Sequence, residues 1–382
     1  MLNGTMERPL NAANVTRIGS TTPMILSEKA LETLLQAALW APSGDNTQPW
    51  RFRADRAAGR LDILESESDD RSAMNAGQHM SRMAVGAAVE NVLRQARTIG
   101  LQAELVPPAP GADASIRFKG DPGKLEGVRD PVLFARVTNR RRYDGRPVPS
   151  RILDELRDAT PPLRDVTTSW IVDRKRISSL ARVVGRADAL FYESRARLRE
   201  LVASVRFDLP PEESVPTGLS VASLEMSGLD RTLLRLLPPL PPLLLKAAGT
   251  YRFAASRTGR LVRSAAGLCL GVATSDGPAT DLAAGRAMQR AWLALTAAGL
   301  ACQPLMALVG FQNALDPAVE DEPGIRRRLP ALGSEFRAAA PEIGAGHACF
   351  LMRFGYAPPP SGRSGRRPLA DVMVPPAHES SR

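Results

Sequence analysis

Gly86-AAVENVLRQARTI-Gly100-Leu101 and Gly285-RAMQRAWLALTAA-Gly299-Leu300 follow one plan. In both, two glycines stand at the same spacing around a helical pattern, and a leucine and a strand-like segment follow. A chain that carries the same helix twice reads as a duplication. The competing reading is that glycine-ended helices recur by chance in an alanine-rich chain. The blocks further upstream bear on this choice. Setting Trp50 against Trp170 without a gap places Pro42 on Pro162, Asp45 on Asp165 and Thr47 on Thr167. The mismatches in that alignment carry more information than the matches. Ser43 faces Leu163, Asn46 faces Val166 and Gln48 faces Thr168, so a polar loop in the first copy is mostly apolar in the second. Trp50 to Gly86 is short and Trp170 to Gly285 is long, so one copy has lost a segment or the other has gained one.

The loop Ala41-Pro42-Ser43-Gly44-Asp45-Asn46-Thr47-Gln48-Pro49-Trp50 lies between a helix, which Ser27 can cap and Pro42 stops, and a strand starting at Trp50. Ser43, Asn46 and Gln48 bring hydroxyl and amide groups that both donate and accept, which suits a flat heteroaromatic ligand. They serve equally well in an irregular connection whose polar groups satisfy one another. Strands are expected at 50–55, 60–67, 102–106 and 115–119 around the first long helix. In the second unit a helix is expected at 150–159, strands at 169–173 and 267–274, helical segments at 176–205 and 281–299, and a strand at 347–356.

With 382 residues, 44% of them hydrophobic, the chain can bury a substantial core. The apolar run Leu233 to Leu245 is interrupted by Pro238, Pro239, Pro241 and Pro242, and no run matches a membrane span. The N-terminal MLNGTMERPLNAANVTR lacks the apolar centre of a signal peptide, and Cys269, Cys302 and Cys349 are too scattered for a disulfide framework; a reduced cytoplasm is expected. The net charge of +10 comes almost wholly from arginine spread along the chain, and aromatics make up only 5%, so neither nucleic-acid nor membrane binding is expected. Arg136 to Arg142, Arg326 to Arg328 and Arg363 to Arg367 remain candidate anion sites. His79, His347 and His378 show no metal-ligand spacing, so no metal is expected.

APSxxNxQPW after a helix, RxTNRR followed by RPVP, a long helix ending in Gly-Leu, and a C-terminal FGY with RRPL together resemble the FMN-dependent nitroreductase superfamily. More closely, the chain is similar to its long single-chain members of the Acg type, in which two repeats replace the usual homodimer. The resemblance covers about residues 26–374. It implies an α+β nitroreductase-like fold with two tandem repeats forming an intramolecular pseudo-dimer. The corresponding division is a leader at 1–25, a truncated repeat at 26–130, a full repeat at 131–357 with a lid or proline-broken core helix within 206–263, and a C-terminal arm at 358–382.

The resemblance also implies a site. Pro42, Ser43, Asn46 and Gln48 would reach an FMN held by the second repeat. Arg136, Thr138, Arg140 and Arg141, joined by Arg366 and Arg367, would hold its phosphate, with the register open by one residue. Met306 and Ala307 would stand at the reactive edge, although the family often has glycine or a polar residue there. Repeat one offers only Arg17-Ile18-Gly19-Ser20 for the symmetric site, so one flavin per chain is expected. The implied activity is hydride transfer from NAD(P)H to a nitroaromatic, quinone or related acceptor, by a monomer acting as a pseudo-dimer. A protein that sequesters FMN with little or no turnover is the alternative.

Overall fold

The computed structural model describes residues 25–210, 215–237, 240–313 and 322–375. Arg17 to Ser20, nearly all of the expected leader, and His378 lie outside them. In the first unit the element order is α1 (Glu28–Leu39), β1 (Trp50–Asp55), β2 (Arg60–Glu65), α2 (His79–Thr98), β3 (Gln102–Val106) and β4 (Ala114–Lys119). The second unit contains α3 (Ser150–Asp158), β5 (Val166–Ile171), α4 (Arg174–Glu193), α5 (Arg195–Ser204), α6 (Thr250–Arg263), β6 (Gly267–Ala273), α7 (Pro278–Ala297), β7 (Ala301–Pro304), α8 (Met306–Asn313) and β8 (His347–Gly355). The architecture is mixed α and β, and the expected elements form within a few residues of their expected bounds.

Each unit builds one antiparallel four-stranded sheet. The orders are β1-β2-β4-β3 and β5-β6-β8-β7, so in both the strands run first, second, fourth, third, with the long helix between the second and the third. Local chemistry sets the boundaries. Ser27 caps α1 by accepting the Ala30 N–H at 3.1 Å, and Leu31, Leu34, Leu35 and Ala38 turn one face of the helix into the core. The run Gly267 to Ala273 is buried throughout because helices cover both faces of its sheet, which is why it reads as continuous apolar sequence and not as alternation.

Helices α2 and α7 pack backbone to backbone at the centre of the molecule. A Cβ on Gly86 would lie 2.1 Å from the carbonyl oxygen of Leu282, and one on Gly285 would lie 1.9 Å from that of Met83. Each glycine therefore meets the residue three before the other glycine, which is the reciprocal pattern of an isologous contact. Around this seam, Asn91 accepts from Gln289 at 2.6 Å, and Glu90 pairs with Arg286 and Arg290 at 3.1 and 3.0 Å. All of these residues fall on equivalent faces of the two matched helices.

The Trp50-to-Trp170 alignment needs correction. Trp50 is the first residue of β1, whereas Trp170 is the fifth of β5. Matching strand starts sets Trp50 against Val166 and Gln48 against Arg164, and these last two share a left-handed backbone, with φ of 55° and 51°. In this register Ser43 faces Ala159 and Asn46 faces Pro162. Apolar residues thus stand opposite Ser43 and Asn46, whereas the polar Arg164 stands opposite Gln48.

The chain end ties the units together. Beyond β8 the C-terminal arm returns to the first unit, where the Phe52 N–H donates to Val372 at 2.8 Å and the Val374 N–H donates to Phe52 at 2.9 Å. The arm thereby pairs with the edge strand β1.

Candidate functional site

Between the units lies a cavity of about 540 Å³, within the size range of small-molecule and cofactor sites. A narrower lobe of about 80 Å³ shares Pro42, Ser43, Asp45, Thr138 and Arg140 with it. Four segments converge there: the loop after α1, the arginine-rich opening of the second unit, the start of α8, and the arm. The large lobe is walled by Met74, Met80, Met83, Met288, Phe191 and Trp292, a deformable apolar surface.

The arginine-rich opening is held in place by one fully buried side chain. Arg353 on β8 stacks 3.9 Å over the ring of Tyr143 and donates to the carbonyl of Arg141 at 2.7 Å and to Gln303 Oε1 at 2.7 Å. Asn139 adds two more ties: its N–H donates to Cys302 at 2.8 Å, and its side-chain amide donates to Pro358 at 2.8 Å. Arg136, Thr138 and Arg140 line the narrow lobe, while Arg141 turns outward to Glu225 and Ser361.

Arg136 is 4% exposed. One Nη donates to the Trp40 carbonyl at 3.0 Å, its guanidinium lies 4.5 Å over Trp292, and its buried Nε has no partner. Burial, with Arg363 nearby, lowers its pKa to about 9. Arg366 donates to the carbonyls of Leu39, Ala41 and Gly365 and to Asn46 Oδ1, closing the C-terminal end of α1. Burial likewise pushes its pKa well down. Among the described residues, neither Arg136 nor Arg366 has a carboxylate at ion-pair distance. Arg136, Arg140, Arg363 and Arg366 thus line the narrow lobe together with the carboxyl group of Asp45.

The polar loop behaves differently from the expectation. Asn46 Nδ2 donates to the carbonyls of Pro216 and Gly365, and Gln48 donates to Pro216 at 2.6 Å and accepts the Arg367 N–H at 2.9 Å. Ser43 Oγ accepts the Gln48 N–H at 3.0 Å. These groups clamp the loop onto Pro216 and the arm, and positive φ at Asp45, Asn46 and Gln48 holds it in shape. Ser43 and Asn46 still line the narrow lobe, but Gln48 is wholly buried away from it.

The expected site is therefore divided. Pro42, Ser43, Asn46, Arg136, Thr138, Arg140 and Arg366 surround the narrow lobe, and Met306 and Ala307 line the large one at the first turn of α8, where backbone N–H groups have no intrahelical acceptor. Gln48, Arg141 and Arg367 line neither lobe, and Arg367 instead pairs with Asp69 at 3.0 Å. From the expected lid, Leu219 and Ser223 reach the narrow lobe, whereas Leu236, Leu240 and Leu244 lie exposed on the surface. The wall over the large lobe comes from α5, through Arg197, Glu200, Leu201 and Ser204.

Sequence reasoning passed over the acidic side of the cavity. Asp45, Asp70 and Glu200 all line it, and burial pushes each carboxyl up. Asp45 lies within the loop, Asp70 lies 20 residues beyond Trp50 and Glu200 lies far beyond both in sequence. No local pattern joins them.

Two solved structures are similar to the chain in part. A nitroreductase with bound FMN from Desulfitobacterium hafniense DCB-2 is 14% identical and matches 65% of this chain and 98% of its own, with a TM-score of 0.36. The FMN-dependent nitroreductase NfnB from Mycobacterium smegmatis, in complex with NADPH, is 16% identical and matches 66% of this chain and 96% of its own, with a TM-score of 0.33. In sequence, the chain is 29% identical over 350 residues to "Uncharacterized protein MT1398" of Mycobacterium tuberculosis, covering 88% of this chain. It spans about half, 47%, of that relative's length. No family model matches the chain. Among the described residues no helix is long and apolar enough to cross a membrane, and no cluster of ligating side chains could hold a metal ion.

Proposed function

We propose that the chain is an FMN-dependent oxidoreductase, built as an intramolecular pseudo-dimer of two nitroreductase-like units with one flavin site. The observation that carries this reading is the narrow lobe: Arg136, with an orphan buried Nε, and Arg366 line it without a carboxylate at ion-pair distance, and Pro42, Ser43, Asp45, Thr138 and Arg140 line both it and a cavity of cofactor size. A buried unpaired cation is costly, so such a lobe suits an anionic ligand. The donor set fits a phosphate monoester, with Arg136 and Arg140 as guanidinium forks and Thr138 and Ser364 as hydroxyl donors.

The remaining residues fit the rest of the cofactor. Trp292 and the methionine wall offer apolar contact to a ring system, and the backbone N–H groups of Met306 and Ala307 offer donors at its edge. When bound, FMN supplies the hydride chemistry, with NAD(P)H as donor and a nitroaromatic, quinone or related molecule as acceptor. The chain's own part is to bind, orient and shield. The reciprocal glycine seam and the two sheets of like strand order support the pseudo-dimer, and the apolar replacements at Ala159 and Pro162 support a single site.

Purified full-length chain tests this directly. It is expected to bind FMN at one per chain and to lose its flavin absorbance on anaerobic addition of NADPH. If the flavin is retained and bleaches only with dithionite, the protein is a sequestering one; if no FMN binds, the flavin reading is wrong.

A further inference from the structure

The helices between Gly228 and Arg263 carry apolar side chains on their outer faces as well as their inner ones. On the helix Gly228–Leu236, Leu234 is buried with Leu198, Val205 and Val221 and holds the helix to the molecule. Leu229, Leu233 and Leu236 recur at the spacing of one helical face, and that face is in solvent. The next two helices repeat the arrangement. Leu245 of the helix Pro242–Ala247 and Ala254 of α6 are buried, whereas their neighbours Leu244 and Phe253 are exposed. These five outward side chains are 47% to 69% exposed. More than half of the large apolar side chains exposed among the described residues fall between 229 and 253. Single apolar residues on a surface need no explanation, but a cluster on successive helices does.

Charge decides what covers this face. Residues 228–263 hold seven arginines and lysines and one acidic residue, Asp230. Arg235, Lys246, Arg252 and Arg260 are exposed, and Phe253, Arg257 and Arg260 share one stripe of α6. Among the described residues, none of the seven has a carboxylate at ion-pair distance, and Asp230 instead closes a capping box with Ser227. Such a face disfavours a second copy of the chain, because a two-fold contact sets like charges against each other. Leucine and phenylalanine among unpaired cations suit a bilayer interface, where apolar side chains enter the acyl boundary and cations meet anionic headgroups.

We propose that the helices between Gly228 and Arg263 dock the protein on the surface of an anionic lipid bilayer. The face lies on the bilayer and does not cross it, since no described helix is long and apolar enough to do so. None of these residues lines either lobe of the cavity, so the docking face stands apart from the flavin reading. The charge of the whole chain carried no expectation of membrane binding; which leucines face outward is decided by packing and not by composition.

Flotation of the purified full-length chain tests this, with vesicles of phosphatidylcholine alone and of phosphatidylcholine mixed with phosphatidylglycerol. The chain is expected to float with the mixed vesicles only. Binding is expected to weaken between about 0.1 M and 1 M salt, as the Debye length falls from about 10 Å to about 3 Å. Replacing Leu229, Leu233 and Leu236 together by Gln is expected to lower vesicle affinity at least about tenfold. Arg252→Gln with Arg260→Gln is expected to lower it as well and to flatten its salt dependence. Leu105→Gln, at an exposed leucine on β3, is the control and is expected to bind as wild type does. All these side chains are exposed, so the variants are expected to keep the wild-type midpoint in urea unfolding. Equal binding to both kinds of vesicle, or binding that the leucine variant keeps, overturns the proposal. Absence of vesicle binding overturns it too, and self-association that the leucine variant abolishes would make the face a contact between copies.

Discussion

Arg136 shows how a single residue can announce a ligand. Its side chain is packed over Trp292 and anchored to Trp40, yet one N–H stays buried and unbonded. A charge-assisted hydrogen bond is worth about 1.5–3 kcal/mol. Arg136→Gln is therefore expected to weaken FMN binding about 10- to 100-fold and to leave riboflavin binding unchanged, as measured by fluorescence titration. Equal loss for both flavins would mean that Arg136 acts through the cavity wall and not through phosphate. By contrast, Arg141, one residue past Arg140, turns out to Glu225, because Arg353 holds the intervening backbone.

At the scale of elements, the α2–α7 seam sets the distance between the units. Glycine is required at Gly86 and Gly285 because another carbonyl occupies the space a Cβ would take. Overpacking a rigid backbone contact costs about 1–3 kcal/mol or more. Gly86→Ala and Gly285→Ala are each expected to lower stability by at least about 3 kcal/mol in urea unfolding. Gly228→Ala is the control: it opens a surface helix at Gly228–Leu236 with nothing near its Cβ position, and it is expected to be neutral or slightly stabilising. A seam variant as stable as that control would mean the helices can move apart freely.

At the scale of the whole molecule, the C-terminal arm connects fold and site. Its Val372 and Val374 pair with β1, its Arg366 closes α1, and its Gly365 and Arg367 backbones hold Asn46 and Gln48. Truncation after Ala357 is thus expected to abolish FMN retention on gel filtration and to lower the stability of the first unit, whose sheet loses its edge partner. A truncated chain that keeps one FMN would show that the arm is dispensable to the site.

Much of this molecule was legible in the sequence, because the signals involved are local. Helix period, capping by Ser27, stops at Pro42 and glycine spacing are set by neighbours along the chain, so the strands, the long helices and the matched glycine pair could be read directly. The narrow lobe was legible in part, since arginine clusters and a polar loop are visible as strings. What only the tertiary structure decided is where those groups point. Asn46 and Gln48 looked like ligand groups, but Pro216 and the arm bring carbonyls and an N–H to within hydrogen-bond distance and use them as a clamp. The strand register between the two units likewise needed backbone angles, since a tryptophan can occupy either end of a strand. Asp45, Asp70 and Glu200 meet only because α5 folds over the loop, and burial, which raises all three carboxyls, is a property of that packing and not of any stretch of sequence.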